Sequence, residues 1–166
     1  MSKAAIAALV ERFPDAVHDA YEGLGGDDCA FVQKARIVEV CRFLKDDPRL
    51  QMNLAPYITA VDYHGQEPRF EVVYNLVSTR TNQRVRLRVK VPEADCIVPS
   101  VVSVWRGVDW FERYCLDMYG IHFENHPDPR RLLMYDEFVG HPLRKDYPKH
   151  QEQPLIAYTG PMGDRP

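Results

Sequence analysis

The chain has 166 residues, 45% of them hydrophobic, which suits about one domain with a single core. Its formal charge of −3 excludes non-specific nucleic-acid binding, which needs a broad basic face. No apolar run reaches the length of about 18 residues that would read as a membrane span. In the N-terminal stretch MSKAAIAALVERF, Glu11 and Arg12 break the apolar run, so the start reads as cytosolic rather than as a signal peptide.

Ser2 is a candidate cap for a first helix reaching Phe13, with Ile6, Leu9, Val10 and Phe13 on one face and Pro14 as its stop. Residues 22–28 read as a turn, and Ala30, Phe31 and Val32 as a short strand. A second helix is expected from Lys34 to Lys45, with Ile37, Val40, Cys41 and Leu44 inward, ended at Asp46-Asp47-Pro48. The period then changes to that of strands: Tyr57–His64, Phe70–Val77, and a strictly alternating stretch in which Val85, Leu87, Val89 and Val91 oppose Arg84, Arg86, Arg88 and Lys90. A polar loop joins the last two as an antiparallel hairpin. Its basic side, together with Arg80, reads as a solvated strand face; phosphate, lipid headgroups or an acidic partner are the alternative ligands.

From Pro99 the helical period returns. Ser100 is a candidate cap, Val104, Val108, Phe111, Cys115 and Met118 form one stripe, and Gly120 stands at a left-handed helix end. Asp109, Arg113 and Asp117 form a ladder expected to make helix-spaced ion pairs. Beyond Gly120 no regular structure is expected. The segment is proline-broken yet holds Ile121, Phe123, Leu132, Leu133, Met134, Tyr135, Phe138, Leu143 and Tyr147, too apolar for ordinary disorder. An ordered, extended arm pinned to a surface, such as a partner's, satisfies both facts; residues 1–120 then form a domain and 121–166 an extended partner-docking arm.

Candidate chemistry is thin. Cys29, Cys41, Cys96 and Cys115 include no CxxC pair, so they read as reduced thiols rather than ligands of zinc or an iron–sulfur cluster. His122, His126, His141 and His150 match no zinc spacing, and each His-Pro pair reads as a turn held by an imidazole–backbone bond. Neither GxSxG nor GxGxxG is present. Arg130, Arg131, Arg144, Lys145 and Asp146 suit anchoring at a protein surface better than turnover.

Three separated motifs, DWxERxxxDMYGIxF, HPDxRRLL and GHPLRKDYP, resemble the thirty-kilodalton subunit family of NADH-quinone oxidoreductase (respiratory complex I). The stretch PRFEVVYNLVSTRTNQRVRLRVKV resembles that family's central strands, and the likeness spans roughly Val61 to Pro148. The sequence departs from the pattern at Tyr114, Asn125 and Pro129, and residues 149–166 carry no family signature. The resemblance implies an α+β fold: a small mixed, largely antiparallel sheet flanked by helices, with an extended C-terminal arm. It implies a non-catalytic peripheral-arm component of a hetero-oligomer, set against the large quinone-pocket subunit on the cytoplasmic face of the inner membrane. Membrane contact is then only through the complex, and FMN, iron–sulfur clusters and quinone belong to other subunits, with no cofactor on this chain. The family's signature residues fall on Glu112, Arg113, Asp117, His126, Arg130, Arg131, His141, Arg144, Lys145 and Asp146, expected at a partner interface. The competing readings are the equivalent subunit of a membrane-bound hydrogenase or ferredoxin-linked complex, and a stand-alone His-metal enzyme.

Overall fold

The computed structural model describes residues 3–23, 27–150 and 153. Ser2, and all but one residue of 151–166, lie outside them. The first helix, α1 (Lys3–Arg12), buries Ala5, Ala8 and Leu9, while Val10 is exposed. Of the predicted face, Leu9 and Phe13 are buried and Ile6 packs against the core, so only Val10 falls outside it, and Ala5 and Ala8 complete the buried side. Strand β1 (Val17–Glu22) has no counterpart in the sequence pattern: only Val17 is buried, so the stretch has no apolar alternation. It is ordered by pairing with β2 (Asp28–Val32). Helix α2 (Ile37–Asp46) buries Ile37, Val40, Cys41 and Leu44, the stripe its period predicts.

Strand β3 (Leu54–Asp62) starts earlier than predicted. It lies at the sheet edge with Pro56 in a bulge, the setting in which a strand tolerates a residue without an N–H. Strands β4 (Phe70–Val77) and β5 (Arg84–Val91) pair antiparallel along their full length, from Phe70 opposite Val91 to Val77 opposite Arg84. The strand order is β1-β2-β5-β4-β3, and only β2–β5 is parallel, so the sheet is mixed and mostly antiparallel as expected. One sheet face, with Phe70, Val72, Tyr74, Leu76, Val85, Leu87, Val89 and Val91, joins the helices' apolar stripes in a single core.

The predicted helix from Ser100 is shorter. Helix α3 runs only from Asp109 to Tyr119, preceded by turns. Trp105 is extended at φ −131° and ψ 110°, held by its indole N–H donating to Met52 O at 3.1 Å. Regular structure also continues past Gly120: β6 (Ile97–Pro99) pairs in parallel with β7 (His122–Glu124). Ile121 and Phe123 thereby join the core. Residues 125–150 contain neither helix nor strand.

Candidate functional site

Helix α3 is the post on which the arm is tied. Gly120 adopts φ 73° and ψ 29°, the left-handed end that a glycine permits, and its N–H returns to Leu116 O. The next three carbonyls of the helix end would otherwise be unpaired. The arm supplies each donor. His141 Nδ1–H donates to Asp117 O at 2.9 Å, Leu143 N–H to Met118 O at 3.1 Å, and Arg144 Nε–H to Tyr119 O at 2.6 Å. The Arg144 cation also lies where the helix dipole favours positive charge. Burial pushes the His141 imidazole below its ordinary value, with the Arg144 and Arg131 charges adding to the effect and its bond to Asp117 opposing it.

Asp117 ties the middle of the arm. Its side chain is fully buried. One carboxylate oxygen accepts three successive backbone N–H groups, from Leu132 (3.1 Å), Leu133 (2.7 Å) and Met134 (2.9 Å). The other accepts Arg131 Nη1 at 2.8 Å, and Arg131 Nη2 donates to Gly140 O. Burial alone would raise this carboxyl, but these donors outweigh it and hold the group below the usual carboxylate range. Arg113 donates to Arg130 O and Arg131 O and stacks on Trp110, its cation 5.3 Å from the ring centre. The expected pairing of Arg113 within the helix ladder is not formed, since its carboxylate is Asp128 at 3.4 Å. Tertiary partners with fixed geometry have replaced a weak surface pair.

The arm's end reaches the sheet through Arg69, 4% exposed. Its guanidinium forks onto Asp62 (2.9 and 2.9 Å), binds Asp146 (2.6 and 3.1 Å) and donates to Glu93 at 2.6 Å. The Lys145 N–H also donates to Asp62 at 2.8 Å. Between these ties the arm packs on itself: Tyr135 meets Phe138 edge-on, and Phe138 stacks on Tyr147 at 6.0 Å.

Near the helix start, Glu112 is fully buried and accepts Ser100 Oγ–H at 2.6 Å and Val101 N–H at 2.8 Å. Ser100 therefore holds a glutamate rather than capping the helix. Burial pushes the Glu112 carboxyl up to about 7 against those two bonds, and the Asp109 charge adds to the rise. His126 Nδ1 accepts Asp128 N–H at 3.0 Å, a turn bond of the kind expected, and its Nε2 lies 3.8 Å from Glu112.

Of the residues singled out in the sequence, Glu112, Arg113, Asp117, His126, Arg131, His141 and Arg144 converge on α3, and Asp146 joins through Arg69. Arg130 stays exposed with Asp128, and Lys145 contributes its backbone. Asp62, Arg69 and Glu93 carried no signal, because nothing in their spacing showed that the arm's end would return to the sheet. The histidines do not meet: His126 sits at the start of α3 and His141 at its end, about 12 Å apart at 1.5 Å per residue. Among the described residues no group of His, Cys, Asp and Glu is placed to hold a metal.

A family model described as the 30 kDa subunit of respiratory-chain NADH dehydrogenase matches residues 30–153. A relative from Geobacter sulfurreducens, named as a subunit of NADH-quinone oxidoreductase, is 49% identical over 145 residues, covering 87% of this chain and 88% of the relative. A Roseiflexus protein with the same name is 44% identical over 156 residues, covering 92% and 88%. Among solved structures, a trypsin-resistant fragment of Nqo5 superposes with a TM-score of 0.65 at 28% identity, over 75% of this chain and 98% of the fragment. One chain of an archaeal membrane-bound sulfane sulfur reductase shares the fold, with a TM-score of 0.72 at 20% identity over 87% of this chain and 84% of that one. This chain belongs to the family of the 30 kDa subunit of respiratory-chain NADH dehydrogenase, the NADH-quinone oxidoreductase of its bacterial relatives.

Proposed function

We propose that this chain is a non-catalytic scaffold in the peripheral arm of an NADH:quinone oxidoreductase, and that its C-terminal arm docks on the large quinone-pocket subunit. One observation carries the reading. Most of the motif charges are tied to α3 or Arg69 and fix the arm's course, with Arg130 exposed beside Asp128, while large apolar side chains remain outward: on the arm Leu133 is 60% exposed and Val139 65%, and on α3 Trp110 61%. Exposed apolar side chains on a pre-ordered segment suit a protein interface, because docking then costs little ordering entropy. Redox chemistry belongs to neighbouring subunits in this reading, with FMN, iron–sulfur clusters and quinone held there. The four thiols here are free, and three of them are buried. Among the described residues no helix is long and apolar enough to cross a membrane. Attachment to the cytoplasmic face of the membrane is therefore proposed to run through the complex.

The test is to introduce Leu133→Glu together with Val139→Glu in the full complex. Both positions are exposed, so the isolated chain should melt within about 1 kcal/mol of wild type. Co-purification with the large subunit should fall at least about ten-fold, since charge is buried against an apolar surface. Unchanged co-purification would refute docking by the arm.

A further inference from the structure

We propose that the open face of the five-stranded sheet is a second docking surface, and that its occupant is an acidic loop of a neighbouring subunit. The proposal rests on the reading of the chain as part of a larger complex but not on the arm. The face is built by alternation. Opposite the core-facing residues of β5 stand Arg86, Arg88 and Lys90, in register with Asn75, Val73 and Glu71 of β4. Those stand opposite Tyr57, Thr59 and Val61 of β3, and Arg86 and Arg88 stand beside Cys29 and Phe31 of β2. None of the described helices covers this side, and Tyr57 (45%) and Tyr21 (41%) are exposed. Tyrosine and arginine around half-buried valines are the composition of a recognition surface.

Its charge identifies the partner. Arg84, Arg86, Arg88 and Lys90 line this side of β5, and the acids paired with them are Asp27 and Glu71, on a chain whose total charge is −3. Both acids are taken: Glu71 by Arg88 through two bonds of 2.5 and 2.9 Å, and Asp27 by Arg86 at 3.3 Å. Arg84 has no ion pair among the described residues, and Lys90 lies over the Phe31 ring at 4.8 Å. These two cations sit six residues apart on β5, about 20 Å. One small anion cannot span them, whereas an extended acidic segment can.

A second, independent observation fixes where such a segment would anchor. Asn75 is 8% exposed, and its Oδ1 accepts Arg86 Nε–H at 2.9 Å. Its Nδ2 has no hydrogen-bond partner among the described residues. A buried donor left unpaired is costly, so the position calls for an acceptor. It lines a cleft of about 280 Å³ together with Asp27, Pro56, Tyr57, Arg84 and Arg86. The cleft has room for one side chain, and a carboxylate there would accept from Asn75 Nδ2 and pair with Arg84.

The experiment places a photo-crosslinking amino acid at Tyr57 in the assembled complex and maps adducts by mass spectrometry. Adducts on an Asp/Glu-rich stretch of another subunit are expected. The Arg84→Glu/Lys90→Glu pair and, separately, Asn75→Asp should lower the adduct yield at least about ten-fold. Both variants should still co-purify with the complex. Adducts on lipid, on a second copy of this chain, on its own residues or on a neutral segment would overturn the proposal, as would no adduct in a complex that contains the chain. A wild-type chain that fails to enter the complex would overturn the scaffold reading as well.

Discussion

Two buried carboxyls on α3 have opposite electrostatics, and the difference lies in their donors. Asp117 accepts four hydrogen bonds, so its charge is stabilised where it sits. Glu112 accepts two, in the apolar core, and burial dominates. Its folded-state value of about 7 lies above the ordinary 4.5, so the folded chain holds a proton that the unfolded chain has released. The stability from this group is complete below the ordinary value and is lost as pH rises through about 7. Glu112→Gln keeps the shape and removes the titration. Urea unfolding from pH 5 to 8 should show a flatter stability profile for the variant, which should exceed wild type by about 3 kcal/mol at pH 8. An unchanged slope would show that Glu112 is not the titrating group.

At the scale of elements, the C-terminus of α3 and the arm complete one another. A helix end normally leaves carbonyls to water or to a short local cap. Here a glycine turns the chain away, and a segment more than twenty residues downstream supplies the donors. Gly120 is needed twice over, for its positive φ and for its lack of a side chain. A Cβ there would stand 2.6 Å from His141 Nε2 and 2.7 Å from Arg144 Nη2. Gly120→Ala should therefore cost about 1–3 kcal/mol and displace residues 141–144 from the helix end. Hydrogen exchange provides the check: the Leu143 amide should lose its protection while amides of β4 and β5 keep theirs. Equal protection in both chains would mean that the arm is held independently of this junction.

At the scale of the whole molecule, Arg69 closes the circuit between the sheet and the end of the arm. Removing it strands Asp62, whose side chain is fully buried, and frees Asp146. Arg69→Ala should destabilise the chain by about 3–5 kcal/mol, the usual result of leaving one member of a buried pair, and should raise the Asp62 pKa. Denaturant unfolding measures the first effect, and carboxyl titration by NMR the second. A loss below about 1 kcal/mol would show that solvent reaches Asp62 and replaces the pair. The sequence alone determined the elements whose side chains keep a period. These are α2, the β4–β5 hairpin, the apolar stripe of α3 and its stop at Gly120, because local periodicity and φ preference act over a few residues. It also contained the residues that hold the arm, since charged groups among prolines need partners. Only the tertiary structure decided who those partners are. β1 is ordered by a neighbouring strand rather than by its own pattern. Ser100 is drawn from a helix cap to a buried glutamate. Arg131, Arg144 and Asp146 turn to α3 and Arg69, while Leu133 and Val139 stay outside. Long-range contacts fix these outcomes, because a buried charge or an unpaired carbonyl accepts whichever donor the fold brings within about 3 Å.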